Sequence, residues 1–298
     1  MKKIVSLFMT ALVLLLCSVN VYAVSVQTAS SGKTVITVGD WVYERVDNGT
    51  HWELDEYVGA GGKVYVPRTL SDSLVVSMGD HCFMNNTEVT SVVTSPPLWT
   101  IGEYSFIDCT SLESIFLNYA LKTIEAGAFS GTSALKDVNL QDTVVTEIKA
   151  NTFLNSGIED IELPETCTKI GHNAFAQCLS LGRIKIPATV TEIADTAFKG
   201  SENAVIECYN NSYAMRYAID HGIDYDVIDP LKGDFDGDGF VTVNDATYIQ
   251  MNDVGMSLSF TVDKHALKRG EVTGDGEVDV RDATMIQMKL ANMISSFD

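Results

Sequence analysis

The stretch Ile101-Gly102-Glu103-Tyr104-Ser105-Phe106-Ile107-Asp108-Cys109-Thr110-Ser111-Leu112 decides how this chain folds, because its apolar positions recur along the sequence. Phe106 has equivalents at Phe83, Phe129, Phe153, Phe175 and Phe198, at successive spacings of 23, 23, 24, 22 and 23 residues. Five residues ahead of these phenylalanines stand Met78, Ile101, Ile124, Ile148, Ile170 and Ile193. Behind them come Val89, Leu112, Leu135, Ile158 and Leu181, then Val92, Ile115, Val138, Ile161 and Ile184. The interval of 22 arises from one residue missing between Phe153 and Ile158. Columns this strict mean a solenoid, since one unit cannot bury its apolar edge alone and neighbours must stack. Within a unit, Leu112-Glu113-Ser114-Ile115-Phe116-Leu117 alternates apolar and outward residues and so predicts a short half-buried strand. Stacked units then form a parallel sheet with strands about 4.8 Å apart, over a ladder of Phe, Ile and Leu.

These units, with Ile184-Lys185-Ile186-Pro187 closing the fifth, resemble the BspA-type leucine-rich repeats of bacterial surface proteins. The resemblance runs from about Leu74 to Ile228. Asn211-Ser212-Tyr213-Ala214-Met215-Arg216-Tyr217-Ala218 with Gly222-Ile223 is similar to that family's terminal cap, and Trp41 to Arg68 to its opening segment. Binding or adhesion is what the resemblance implies, with no particular ligand.

The repeat also accounts for the cysteines. Cys109 and Cys178 share the column three residues after Phe, three units apart, and so stand about 14 Å from each other, beyond disulfide reach. Cys82 and Cys167 fall in other columns held by small or apolar residues. These are expected to be packing cysteines. A thiol-protease pairing with His81 or His172 would need an accessible thiolate, which an inward column does not offer.

Composition bounds the partners. Of 298 residues, 40 are acidic and 20 basic, a formal charge of -20, which makes nucleic acid and anionic membrane poor partners. Lys2 and Lys3, the apolar run Ile4 to Leu16 and Val21-Tyr22-Ala23 read as a secretory signal peptide over residues 1–23. Its apolar run is shorter than the roughly 20 residues a membrane span needs, and Leu16 ahead of Cys17 argues against lipidation. The mature chain is expected to be extracellular.

Carboxylates become ordered where the repeats stop. Asp234-Phe235-Asp236-Gly237-Asp238-Gly239-Phe240-Val241-Thr242-Val243-Asn244-Asp245 places oxygen ligands at loop positions 1, 3, 5 and 12, a turn glycine at 6 and the Phe240 carbonyl at 7. That is the layout of an EF-hand-type calcium loop, because hard Ca²⁺ takes six to eight oxygens and reconciles carboxylates that otherwise repel. A second copy lies 37 residues on, with Glu271, Thr273, Asp275, Gly276, Glu277 and Asp282 at the corresponding positions. Ala283-Thr284-Met285-Ile286-Gln287-Met288 likewise repeats Ala246-Thr247-Tyr248-Ile249-Gln250-Met251. Glu271 and Thr273 replace two short acids, so two calcium sites are expected, the second weaker.

Asp at position 12 and a single helix after each loop resemble the type I dockerin, which docks proteins onto cohesins of a cellulosomal scaffold. The resemblance covers Gly233 to about Ser296. It implies cohesin recognition at Val243 and Asn244 in the first copy and Val280 and Arg281 in the second, with further contacts from Gln250, Met251, Gln287 and Met288. Met251 and Met288 could equally serve the module's own core.

The resulting expectation is an α/β repeat: a leucine-rich-repeat solenoid with a parallel sheet, followed by a small α-helical dockerin domain with two EF-hand-like calcium loops. Residues 1–23 are the leader, 24–73 an N-terminal cap segment, 74–229 the repeats with their C-terminal cap, and 230–298 the dockerin. A short linker, Asp229-Pro230-Leu231-Lys232, joins the last two. Outward strand positions Val93, Phe116, Asn139, Glu162 and Lys185, flanked by Ser91, Ser114, Asp137, Asp160 and Arg183, offer a binding face. Trp99, Phe116 and Tyr119 are its candidate aromatic patch for a sugar or a protein, with packing against the N-terminal segment as the competing role. The functional expectation is a secreted, non-catalytic protein held at the cell surface through a scaffold. Two rivals are a hydrolase or protease with its site in the N-terminal segment, near His51, Asp55 and Glu56, and a calcium-dependent surface adhesin.

Overall fold

The computed structural model describes residues 24–28, 34–46, 49–228, 231–237, 240–259, 262 and 264–297. The expected leader, Asp229 and Pro230 of the linker, and Asp238 and Gly239 of the first loop lie outside the described residues. The chain divides into two compact units, Met1–Val205 and Ile206–Asp298. The division falls inside the strand Val205–Cys208, so the segment expected to cap the repeats counts with the C-terminal helices.

The first unit opens with an antiparallel meander of Val24–Thr28, Thr34–Val38, Trp41–Val46 and His51–Tyr57. Its last strand pairs in parallel with Ser73–Met78, which hands the sheet to Thr100–Ile101 and then Thr123–Ile124. Glu147–Ile148, Lys169–Ile170 and Glu192–Ile193 pair in the same way farther along. A separate parallel ladder carries Gly62–Tyr65, Val89–Val93, Ser114–Phe116 and Asp137–Val138, and the matching strands Asp160–Glu162 and Arg183–Lys185 pair beyond it. Each repeat thus supplies two strands to two ladders. The expected parallel sheet is the second of these; in the first, the strands from Thr100–Ile101 onward are two residues long, too short to alternate.

Between the two strands of each unit the chain turns around its phenylalanine. In the first five units the residues two before and two after it hold left-handed backbone: Tyr104 and Asp108 flank Phe106, Gly127 and Gly131 flank Phe129, and Asn151 and Asn155 flank Phe153. Asn, Asp and Gly tolerate that region best, which accounts for their enrichment in these columns. The turn drives the ring inward, where Phe83, Phe106, Phe129, Phe153, Phe175 and Phe198 stack with centroids 4.7 to 5.4 Å apart and planes within 15° of parallel. That spacing is close to the strand spacing of the ladders. The buried amide of each ring residue donates to the next unit: Phe83 to Ser105 at 2.7 Å, and Phe106 to Ala128, Phe129 to Thr152, Phe153 to Ala174 and Phe175 to Ala197, each at 2.8 Å. At the N-terminal end Tyr57 stacks on Phe83 at 4.9 Å and Trp41 meets both rings edge-on, so the meander caps the aromatic stack.

Among the described residues the second unit holds four helices: α1 (Tyr213–His221), α2 (Val243–Asp253), α3 (Lys264–Gly270) and α4 (Val280–Leu290). Ser212 caps the start of α1 through Met215 N, and left-handed Gly222 ends it. The core around α2, α3 and α4 follows the 37-residue duplication, pairing Phe235 with Val272, Ala246 with Ala283 and Ile249 with Ile286, all fully buried. Helix α3, absent from the sequence expectation, adds Ala266 to this core. No helix among the described residues is long and apolar enough to cross a membrane.

The turn geometry carries a stability consequence. A Cβ at left-handed Gly131 would lie 2.1 Å from Asp108 Oδ1, so Gly131→Ala is expected to cost about 1 to 3 kcal/mol. Asn155→Gly in the same column should change stability by less than about 1 kcal/mol, since it relieves strain while loosening the unfolded chain. Urea denaturation of the two variants checks the contrast.

Candidate functional site

Two regions gather chemistry, one in each unit. In the first unit, the ladder of Gly62–Tyr65, Val89–Val93, Ser114–Phe116 and Asp137–Val138 buries Val64, Val92 and Ile115 and turns the alternate residues outward. Lys63, Ser91, Ser114 and Asp137 share one register column, and Tyr65, Val93 and Phe116 share another. All of these but Tyr65 line an open groove of about 550 Å³, with Lys136 and Asn139 among its other walls; Tyr65 continues the column on the strand next to Val93. Seven of the outward residues named from the sequence line it: Ser91, Val93, Ser114, Phe116, Asp137, Asn139 and Asp160. Ser114 donates to Ser91 Oγ at 3.0 Å, and Lys136 pairs with Glu159 at 2.5 Å. Asn139 is spent on structure, accepting from Leu117 N and donating to Leu117 O and Asp142. Beyond it, Glu162 and Lys185 are closed by their own ion pair.

The expected aromatic patch is rearranged. Phe116 and Tyr119 are exposed, at 55% and 70%. Trp99 instead leads into the other ladder, where its ring meets His51 edge-on at 5.9 Å and Lys122 sits 5.2 Å from its centroid. Contact with the N-terminal segment, the competing role, is therefore what Trp99 shows. Tyr65, 64% exposed, takes the place in line with Phe116, and it escaped the sequence reading because Gly62–Tyr65 precedes the first regular unit.

In the second unit, one carboxylate oxygen from each of Asp234, Asp236 and Asp245 lies within 4.8 Å of the others, and Asp234 and Asp245 are fully buried. Asp245 forms a capping box with Thr242 at the start of α2, and its Oδ1 accepts from Asp236 N. Asp234 Oδ1 accepts from Gly237 N at 2.8 Å. A residue the sequence reading missed holds this loop. Arg269 of α3, itself buried, donates from Nε to Asp234 O at 2.7 Å and from Nη2 to Phe235 O, while its carbonyl accepts from Gly233 N. A lone Arg in the polar run Lys264–Gly270 gives no pattern by which to find it.

The second loop is organised differently. Buried Asp282 accepts from Val272, Thr273 and Asp279 amides, and Glu271 is turned onto the amides of Gly274 and Asp275. Arg281 pairs with Asp275 and Asp279, each at 2.5 Å, and its hydrogen bonds hold the Asp279 carboxyl below the usual carboxylate range. An internal guanidinium therefore pairs with the acidic residue at loop position 5. Among the residues given a recognition role, Val243, Asn244, Val280, Arg281 and Gln287 are exposed, whereas Gln250, Met251 and Met288 are half-buried. Phe240 is 70% exposed, leaving its ring outside the core.

The thiols stand apart from both regions. Cys82, Cys109, Cys167, Cys178 and Cys208 are buried thiols. Cys109 donates to Phe83 O at 2.9 Å and Cys178 to Phe153 O at 3.0 Å, the same bond to a phenylalanine carbonyl of the preceding unit that Ser201 makes to Phe175. Burial pushes the Cys109 thiol up to about 12, the Cys167 thiol up to about 11, and the Cys82 thiol well above its ordinary value. In the N-terminal segment, Thr50 Oγ1 lies 3.0 Å from His51 Nδ1.

Residues 76–205 match the family model "BspA type Leucine rich repeat region" in six copies. A leucine-rich repeat protein of T. pallidum has a similar crystal structure, 22% identical, with TM-score 0.55 over 63% of this chain and 95% of that one. A leucine-rich repeat protein from Bacteroides ovatus ATCC 8483 is 27% identical with TM-score 0.51, over 59% of this chain and 48% of that one, so this chain spans about half its length. No curated protein matches the chain.

The thiols generate a pH dependence. Unfolded thiols ionise near pH 9, whereas folded Cys167 and Cys109 keep their protons to about 11 and 12. Above pH 9 the unfolded state therefore binds fewer protons than the native one, and stability falls as pH rises through this window, by up to about 1.4 kcal/mol per unit for each such thiol. Urea titrations at pH 8 and pH 10.5 should show the loss, and Cys167→Ala should make it shallower.

Proposed function

We propose that this chain, whose residues 76–205 form a BspA-type leucine-rich repeat region, is a secreted, non-catalytic binding protein carrying a type I dockerin that docks it onto a cohesin of a cellulosomal scaffold. The observation that carries the reading is the convergence of Asp234, Asp236 and Asp245 within a loop duplicated 37 residues later. Two fully buried carboxylates among three need compensating positive charge, and the order of oxygen ligands fits calcium. Asp234, Asp236, Asp238, the Phe240 carbonyl and Asp245 would hold the ion in the first loop; Glu271, Thr273, Asp275, the Glu277 carbonyl and Asp282 would do so in the second. Bound Ca²⁺ supplies the charge that lets these carboxylates sit together, so its binding energy becomes folding energy for the unit.

The chain's own residues set the rest. Arg269 fixes the backbone of the first loop from α3, and the two capping boxes fix Asp245 and Asp282 at the starts of α2 and α4. Exposed Val243 and Val280, 37 residues apart at the same helical position, offer matched apolar contacts to a cohesin, next to unmatched Asn244 and Arg281. Two cohesin orientations on this face would therefore not be equivalent. A non-catalytic role for the repeats is supported by thiols buried in packing columns and by outward residues arranged as a face.

Capture of the mature protein by an immobilised type I cohesin should require calcium and be abolished by a chelator. It should also be lost in the Asp234→Ala, Asp282→Ala double variant; capture that survives both treatments contradicts the docking reading. Calorimetric titration separates the loops. Asp282→Ala, which leaves the first loop intact, should retain calcium affinity at least about tenfold tighter than Asp234→Ala, which leaves the second. Equal affinities would contradict the difference drawn from Arg281, Glu271 and Thr273.

A further inference from the structure

We propose that the groove on the repeat ladder, together with the adjoining exposed Tyr65, takes a neutral, linear, β-linked polysaccharide lying across the strands, with its sugar faces on Phe116 and Tyr65. The proposal rests on the reading that this face binds a ligand, and it is independent of the docking reading. Register places Tyr65, Val93 and Phe116 side by side on three neighbouring parallel strands, so the backbones that carry the two rings stand about 9.6 Å apart, two strand steps. Both rings are more than half exposed. Alongside runs the column Lys63, Ser91, Ser114, Asp137, which offers hydroxyl, ammonium and carboxylate groups at the same period. An apolar strip bordered by a polar strip complements a flat glycan ribbon, whose C–H faces stack on aromatic rings while its edges carry hydroxyls.

Size and charge narrow the occupant further. A groove of about 550 Å³ suits a ligand segment of a few sugar rings, whereas a stable protein partner needs about 800 Å² of surface on each side. Lys63 and Lys136 balance Asp137 and Asp160 along its walls, and the chain carries -20 overall, which disfavours polyanions. The strip is closed at one end by Asn139, whose amide is bound to the Leu117 backbone and Asp142. It is about three strands long, so at least about three sugar rings are needed to reach both aromatics.

Affinity electrophoresis of the mature protein through gels containing mixed-linkage β-glucan, xyloglucan, β-mannan or polygalacturonate tests this, with retention on immobilised gelatin as a parallel arm. Retardation is expected in at least one neutral gel and not in polygalacturonate. Phe116→Ala and Tyr65→Ala should each weaken it by about tenfold, while Phe116→Trp preserves it. Both side chains are exposed, so an unchanged thermal transition in each variant shows that the fold survives. No retardation in any neutral gel, equal retardation in the Tyr65→Ala, Phe116→Ala double variant, or retention by polygalacturonate alone overturns the proposal. Phe116-dependent retention on gelatin without any on glycan overturns the glycan and keeps the binding face. No Phe116-dependent retention in either arm overturns both.

Discussion

The structure of the repeats depends on one hydrogen bond made five times, from the buried amide of a turn phenylalanine to a carbonyl of the next unit. A buried amide left without a partner costs about 1 to 3 kcal/mol, so no unit in this row is self-sufficient. Left-handed residues two positions either side of the ring point that amide along the stack, and the ring follows it inward. The two parallel ladders then inherit their spacing from the same repeat. Where the row begins, the meander supplies the missing partners: Tyr57 N donates to Cys82 O and the Tyr57 ring covers Phe83. A solenoid built this way presents flat, periodic columns of outward side chains, and the Tyr65, Val93, Phe116 strip is a direct product of that register.

The C-terminal unit solves a different problem. The apolar cluster around α2, α3 and α4 is small, seven fully or nearly fully buried residues among those described, and the unit also buries Asp234, Asp245 and Asp282. Amide donors and capping boxes satisfy part of their hydrogen-bonding capacity, and Arg269 binds the adjoining carbonyls rather than replacing a cation among the three converging carboxylates of the first loop. In the second loop Arg281 does bring a positive charge onto the acidic residue of loop position 5, Asp275. The two halves of the duplication are therefore alike in fold and unlike in electrostatics. Contacts inside this unit also join the segment before the loops to α3: Tyr225 stacks on His265 at 4.0 Å and Lys264 pairs with Asp224 at 2.9 Å.

Most of the repeat was legible because a column of six phenylalanines leaves few other readings, and burial of all six bears it out. The packing role of the cysteines followed from the same columns. What escaped has identifiable causes. Two-residue strands such as Thr100–Ile101 carry no alternation, so the ladder they form left no strand period to read. Trp99 looked like a neighbour of Phe116 by sequence distance, yet it belongs to a different ladder, whereas Tyr65 lies 51 residues from Phe116 and shares its register column. The spacing of the first loop made the proximity of three of its carboxylates legible, since Asp234, Asp236 and Asp245 come together. Arg269 was not, since its partners are backbone carbonyls and any residue type can supply those.

The central claim is that the second unit is completed by calcium while the repeats stand on their own contacts. Hydrogen exchange of the mature protein with and without calcium, followed by mass spectrometry of fragments, tests it most directly. Calcium should increase amide protection in fragments from residues 231–297 and leave fragments from residues 76–205 unchanged. No difference in the first set, or a difference of equal size in the second, would contradict the account.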